Sequence, residues 1–244
     1  TLKSGVPNAI RVFTEMREAG IELTNYGIRL DSGDLAYISK KARKMLDEAG
    51  LTDTKICVSN SLDEYTIKSL IEQGAPIDSF GVGENLITSK NMPVFGGVYK
   101  LSAIEKENEI IPKIKVSENV GKITNPGFKK VYRFYSENTG KALADVITLA
   151  NEHIPESNYE IFDPINPWRK KTLVNYKFKP LQEQIFKNGE LVYTSPTLCE
   201  IAKHCKNELN TLWDEIRRLS NPHKYYIDLS HNLWELKNEM LKKS

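Results

Sequence analysis

The first third of the chain alternates short apolar runs with amphipathic stretches of helical length, and no other feature restricts the fold as strongly. Tyr26-Gly27-Ile28-Arg29-Leu30-Asp31, Lys55-Ile56-Cys57-Val58-Ser59-Asn60 and Asp78-Ser79-Phe80-Gly81-Val82-Gly83 read as strands. Strands separated by helices predict a parallel sheet, because parallel neighbours need crossover connections of about a dozen residues or more. Both a barrel and a doubly wound sheet meet that condition. Ahead of the first strand, Val6, Ile10, Val12, Phe13 and Met16 fall mostly at three- and four-residue spacing and predict a helix over 6–19 that stops at Gly20. Asp34 is placed to cap a helix carrying Leu35, Ile38, Ala42, Met45 and Leu46, with Gly50 as its stop. Ser61-Leu62-Asp63-Glu64 has the spacing of a capping box led by Ser61, opening a helix that Gly74 closes.

After about Pro93 the periodicity changes. Gly97–Leu101, Ile110–Val116, Lys130–Tyr135 and Ala142–Ile147 alternate in the manner of strands, with a hairpin turn over Ser136–Gly140, and predict a separate antiparallel layer. Tyr132 and Phe134 then share a strand face and read as packing residues. A polar, Pro-containing stretch from Pro155 to Trp168 leads to a hairpin over Gln184–Tyr193. Ser195-Pro196 has the cap-then-proline order of a helix start, and Asp228-Leu229-Ser230 opens a final amphipathic helix with Leu233, Trp234, Leu236, Met240 and Leu241.

With 34 Lys plus Arg against 32 Asp plus Glu, the net charge is only +2, so the total gives no reason to expect a nucleic-acid or membrane partner. Any anion site must be local. Cys57, Cys199 and Cys205 form no CxxC pair, which fits a reducing, cytoplasmic setting. No stretch approaches the roughly 18 consecutive apolar residues of a membrane helix. His153, His204, His223 and His231 have no metal-ligand spacing, so no metal site is expected from spacing.

Parallel sheets place ligand groups at the carboxyl ends of their strands, and here those ends are polar or glycine-rich. Arg29-Leu30-Asp31-Ser32-Gly33-Asp34 sets a guanidinium and two carboxylates at the end of a strand expected to be buried. Burying such charges alone is costly, so either a ligand or a mutual ion pair should explain them. Arginine offers bidentate bonds to phosphate, and aspartate accepts from ribose hydroxyls or holds hydrated Mg²⁺. An internal Arg29–Asp31 or Arg29–Asp34 bridge that only shapes the turn remains equally open. Gly81-Val82-Gly83 could expose backbone donors to a phosphate, although Gly-x-Gly is common at such turns with no ligand at all.

At Arg29-Leu30-Asp31-Ser32-Gly33-Asp34-Leu35 the sequence resembles the nicotinate phosphoribosyltransferases. Thr1–Ile10, Phe80-Gly81-Val82-Gly83-Glu84-Asn85-Leu86, Thr124–Lys129, Leu212–Glu215 and Asn221-Pro222-His223 are also similar to bacterial members, so the resemblance spans essentially the whole chain. It implies an enzyme that joins nicotinate to 5-phosphoribosyl-1-pyrophosphate, giving nicotinate mononucleotide and pyrophosphate, with Mg²⁺ assisting and ATP hydrolysis coupled. It further implies a homodimer. By the same resemblance Arg29 and Asp31 contact the substrate, Ser59 and Asn60 line the sugar pocket, and Gly81, Gly83 and Glu84 bind the 5′-phosphate. The family's phosphorylated histidine stands in a segment before Thr1, and none of the four histidines matches its motif, so no catalytic residue is expected in this chain.

The expected fold class is α/β: part of an irregular TIM-like barrel over residues 1–93, a β-rich segment over 94–155, and a small α+β, largely helical C-terminal region over 156–244. A chain that opens on Thr1 and enters a helix at once is expected to be the C-terminal portion of something longer. Two alternatives accompany the transferase: a nicotinamide-using relative, and a non-catalytic sugar-phosphate-binding fragment.

Overall fold

A computed structural model describes residues 1–243 and divides the chain into two compact units, Thr1–Gly97 and Val98–Ser244. In the first unit, helices α1 (Gly5–Glu18), α2 (Leu35–Glu48) and α3 (Glu64–Glu72) alternate with strands β1 (Gly27–Leu30), β2 (Lys55–Ser59) and β3 (Ser79–Gly81), and a single turn α4 (Glu84–Ile87) follows. The three strands are parallel and lie in the order β1-β2-β3. Alternation sorts their side chains. Leu30, Ile56 and Val58 are buried with Val6, Ala36, Ala42, Leu46, Leu51, Leu62 and Leu70, so the core forms on one side of the sheet. Arg29, Cys57 and Ser79 share a register row on the other side, with Ser59 opposite Gly81 one step further along.

The local signals explain the helix ends, with one shift. Asp34 caps α2 by accepting the Tyr37 N–H at 2.9 Å. Gly20, Gly50 and Gly74 follow their helices at positive φ, where a side chain would be strained. The cap of α3 is Asp63, which accepts the Thr66 N–H at 2.7 Å, and not Ser61. Ser61 has φ 50° and belongs to the turn leaving β2, so its backbone cannot enter the helix where the sequence pattern suggested.

The second unit centres on a four-stranded sheet, but it begins with the hairpin β4 (Ala103–Lys106) and β5 (Glu109–Pro112). The expected strand over Gly97–Leu101 does not form: all of this segment but the half-buried Lys100 is exposed, it joins no ladder among the described residues, and pairing starts only at Ala103. Next come β6 (Lys129–Ser136), β7 (Ala142–Leu149), the hairpin β8 (Tyr159–Phe162) and β9 (Lys170–Leu173), and β10 (Tyr176–Pro180). A small hairpin, β11 (Phe186–Lys187) and β12 (Glu190–Leu191), turns on Asn188-Gly189, both at positive φ. Helices α5 (Leu198–Thr211) and α6 (Asp214–Arg217), strand β13 (Ile227–Leu229) and helix α7 (His231–Lys242) complete the chain.

The main sheet runs β10-β6-β7-β13, and β13 pairs parallel to β7, so the layer is mixed and not wholly antiparallel. Phe134 packs among Ala144, Val146, Ile154, Ile161, Leu173 and Tyr176, and Tyr132 meets Phe178 edge-on, the packing roles expected of them. The polar stretch 155–168 contains β8, whose Ile161 and Phe162 are buried. Helix α5 starts two residues after the expected Ser195, at Thr197, which forms a true capping box with Glu200. Ser230 caps α7 through the Leu233 N–H. No helix of the described residues is long and apolar enough to cross a membrane.

Asp228 on β13 is 3% exposed, and no hydrogen bond or ion pair of the described residues reaches its carboxylate. Burial, then the neighbouring Asp163 charge, push its pKa up to about 6, with Lys224 opposing. A carboxylic acid whose folded pKa is raised stabilises the fold below the ordinary carboxylate range, and that contribution is lost as pH climbs to about 6. The stability of Asp228→Asn relative to the parent should therefore increase between pH 4 and pH 7, by on the order of 2–3 kcal/mol. Denaturant melts of both proteins at the two pH values give this difference directly; a pH-independent difference would show that Asp228 ionises normally.

Candidate functional site

The carboxyl ends of β1, β2 and β3 bring several of the expected residues together. Arg29 Nε donates to Ser59 Oγ at 2.9 Å, joining the ends of β1 and β2 on the sheet face opposite the core. Arg29 Nη2 also lies 3.2 Å from Asp31 Oδ2, while Ser32 Oγ donates to Asp31 Oδ1 at 3.1 Å. The arginine is thus held at two points, with its carboxylate partner beside it. Asp34 contributes to α2 as its cap and not to this cluster, so of the two bridges open from sequence the Arg29–Asp31 pair is the one that forms.

The strand end is not buried, contrary to expectation. The Arg29 and Asp31 side chains are 63% and 51% exposed, so the cost of burying charge does not arise. An exposed pair of this kind adds only about 0–1 kcal/mol to stability. Its position is therefore not explained by a need to hold the fold together.

At the end of β2 the backbone turns through two consecutive left-handed residues, Asn60 at φ 87° and Ser61 at φ 50°. This conformation is uncommon for residues with a side chain and concentrates at sites where local geometry has a use. Asn85 fixes the turn: its Nδ2 donates to the carbonyls of Ser61 at 3.2 Å and Leu62 at 3.0 Å, tying the loop after β2 to the segment after β3. Asn85 received no role from sequence reasoning, although it stands inside the Gly81–Asn85 run; only the fold brings it to Ser61.

Gly81 lies opposite Ser59, and a Cβ there would sit 3.2 Å from the Ser59 Cβ, so its lack of a side chain allows the two strand ends to pack closely. Gly83 precedes α4 with open space around it, and its carbonyl accepts from the Leu86 and Ile87 N–H groups. Glu84 is exposed and pairs with Lys90 at 3.6 Å; neither it nor Gly83 bonds to the Arg29–Asp31 cluster. A cleft of about 440 Å³ lies nearby, lined in part by Asp63, Ile67, Val82, Asn85 and Lys90, and none of the seven expected site residues lines it. The Thr66 N–H holds the Asp63 carboxyl below the usual carboxylate range, which marks a helix cap and not a catalytic acid.

Among the described residues no group of three or more His, Cys, Asp or Glu side chains could hold a metal ion. All four histidines fall at or beyond residue 153, outside the first unit.

Residues 128–237 match the family described as nicotinate phosphoribosyltransferase C-terminal domain. The nicotinate phosphoribosyltransferase of Bacillus subtilis is 45% identical over 242 residues, covering 99% of this chain and 49% of that protein. Along nearly its whole length the chain is similar to the nicotinate phosphoribosyltransferases. The enzyme of that name from Caenorhabditis elegans is 36% identical, covering 96% of this chain and 42% of its own length. Among solved structures, human nicotinic acid phosphoribosyltransferase matches with a TM-score of 0.65 at 27% identity, over 88% of this chain and 40% of that one. Nicotinate-nucleotide pyrophosphorylase from Pyrococcus furiosus matches with a TM-score of 0.51 at 25% identity, over 83% of this chain and 43% of that one. The chain spans about half the length of the curated nicotinate phosphoribosyltransferases it matches.

The left-handed turn yields a direct test. Glycine adopts φ near 50° without strain, so Ser61→Gly should leave stability unchanged or raise it by up to about 1 kcal/mol, whereas the β-branched Ser61→Val should lower it by about 1–2 kcal/mol. Thermal melts of the two variants would show the opposite order if the turn were an ordinary extended exit from the strand.

Proposed function

We propose that this chain supplies the phosphoribosyl-binding part of a nicotinate phosphoribosyltransferase active site, for an enzyme that joins nicotinate to 5-phosphoribosyl-1-pyrophosphate in NAD biosynthesis. The observation that carries the reading is the Arg29 guanidinium, fixed by Ser59 and flanked by Asp31 at open strand ends, in a chain 45% identical to a named member of the family. On this reading Arg29 contacts the diphosphate, for which a guanidinium offers bidentate, charge-assisted bonds. Asp31 accepts from the ribose hydroxyls. Ser59 and Asn60 line the sugar pocket, and the backbone about Gly81, Gly83 and Glu84 receives the 5′-phosphate, where glycine permits close approach. The nicotinate ring nitrogen attacks the ribose anomeric carbon and pyrophosphate leaves; the task of these residues is to hold both ends of the sugar phosphate while that bond exchange occurs.

Mg²⁺ fits the donor set in a limited way. With one exposed carboxylate in the cluster, Asp31, the ion would take most of its ligands from the diphosphate and from water, as Mg²⁺ commonly does in phosphate sites, and it would neutralise charge on the leaving group. ATP coupling comes with the family reading, and no residue of this chain is assigned to it.

The same reading makes the three-stranded sheet a sector of a TIM-like barrel. Parallel strands in sequential order, with the intervening helices packed into one core on the same side of the sheet, are what a barrel wall presents. Further strands pairing at the edges of β1 and β3 would close it, in a dimeric enzyme. The three free cysteines suit a cytoplasmic one.

The deciding assay is nicotinate mononucleotide formation by an enzyme of the relatives' full length that carries this sequence, with nicotinamide as the control substrate. Nicotinate should be the strongly preferred substrate; equal use of both would overturn the assignment to the acid. In that enzyme Asp31→Asn should lower kcat/KM for phosphoribosyl pyrophosphate by about tenfold or more, on the order of 1.4 kcal/mol, with little change in melting temperature. Gly83→Val should still fold, since no atom lies within 4 Å of its added Cβ, but should lose the rise in melting temperature that phosphoribosyl pyrophosphate gives the parent. A retained rise would remove Gly83 from the phosphate site.

A further inference from the structure

The second unit contains a cavity of about 320 Å³ that the phosphoribosyl reading does not use, a volume at the lower end of the range for small-molecule sites. Its aromatic lining is anchored through polar groups while the rings remain accessible. Trp213 Nε1 donates to the Ala142 carbonyl at 2.9 Å, which sets the tilt of the indole, and the residue is still 37% exposed. Tyr226 is 45% exposed, and its carbonyl accepts the Asp145 N–H at 3.0 Å. The His223 ring stands 6.3 Å from that of Tyr226, and the His223 backbone N–H donates to the Glu215 carbonyl at 2.8 Å.

Two ammonium groups border the same cavity. Lys171 is exposed on β9, and its ammonium makes no hydrogen bond or ion pair among the described residues. Lys224 is 76% exposed and pairs loosely with Asp163 at 3.9 Å, which leaves its ammonium open to solvent. Aromatic faces beside two solvent-exposed ammonium groups match a ligand that is flat and apolar at one end and anionic at the other. A bare cation would be repelled by the two lysines, and an inorganic anion would leave the rings unused. The Glu215 side chain adds an acceptor at the border, suited to sugar hydroxyls.

We propose that this cavity binds a nucleoside monophosphate. The base stacks against Trp213 and Tyr226, the phosphate meets Lys171 and Lys224, and Glu215 accepts from the ribose. The site lies wholly within residues 143–226 and stands independently of the cluster around Arg29.

The test is a titration of the whole chain with adenosine 5′-monophosphate, followed by tryptophan fluorescence. A saturable change is expected, and it should vanish in Trp213→Phe, which keeps a ring while removing the reporting indole. Lys171→Glu alters an exposed, unpartnered side chain and should weaken binding by at least about tenfold, as should Tyr226→Ala. Ribose 5-phosphate, which lacks the base, should fail to displace the nucleotide. Asp31→Asn, in the other unit, should leave the affinity unchanged. The proposal is overturned by no saturable change up to about 1 mM nucleotide, by full affinity in Lys171→Glu, or by equal competition from ribose 5-phosphate. Loss of binding in Asp31→Asn would overturn it too, by moving the nucleotide to the strand-end cluster. Calorimetry on Trp213→Phe separates loss of signal from loss of binding, and a melting curve checks that this variant folds.

Discussion

The one-sided burial of the β1-β2-β3 sheet governs the first unit. Side chains alternate along a strand, so sending Leu30, Ile56 and Val58 into the helix-side core forces Arg29, Cys57 and Ser59 to the opposite face. A slip of one residue would bury the guanidinium and expose the aliphatic row. The apolar side therefore fixes the register, and the register brings Arg29 within hydrogen-bonding distance of Ser59. The polar cluster does not have to stabilise its own placement.

Where a structural cause is local, the sequence displays it. Asp34 before Leu35 and the glycines after α1, α2 and α3 act within a few residues, and each does what its neighbours suggest. The Ser61 capping reading failed because the competing event, a left-handed turn stabilised by Asn85 from 24 residues away, is not local. Thr197 was masked by the Ser195-Pro196 signal just before it, although Thr197 and Glu200 have the spacing that forms the box. Gly97–Leu101 alternates as a strand should, but alternation cannot supply a ladder partner. Conversely β8, β9, β10 and β13 are three to five residues long, too short for a period to stand out, and tertiary pairing makes them strands.

The second unit relies on a polar network that no sequence window could reveal. Arg133 donates to both oxygens of Asp145, at 2.8 and 2.9 Å, and to Glu208 on α5 at 3.0 Å; Lys179 reaches Glu208 from β10 at 2.6 Å, and Tyr225 donates to Asp145 at 2.9 Å. The Asp145 hydrogen bonds hold Arg133 firmly in its charged form, well above an ordinary arginine, against the effect of its partial burial. Satisfying both carboxylates in this way matters because an unpaired charge left there would be costly. The attachment also falls near the end of α5. Lys141 binds the carbonyls of Asn210 and Leu212, whereas residues 198–206 are exposed throughout, so the helix is fastened by its last turns alone.

The strand-end cluster and the second-unit network use the same kinds of group for opposite purposes, and exposure separates them. Arg133 and Asp145 have side chains 20% and 10% exposed and every partner within the protein, so removing one would leave the other charge unmatched in a largely enclosed position. Arg29 and Asp31 are mostly open to water, and their pairing adds little to stability. A guanidinium with that freedom is still oriented, because Ser59 restrains Nε while the outer nitrogens remain accessible. Orientation without a stability role is what an anion-binding arginine requires: little conformational freedom is left to lose when a diphosphate arrives, and no internal partner has to be displaced except Asp31. On the proposed reading the carboxylate is then released toward the ribose or the metal, so the exposed ion pair of the free chain is the resting arrangement of two groups whose charges belong to the ligand.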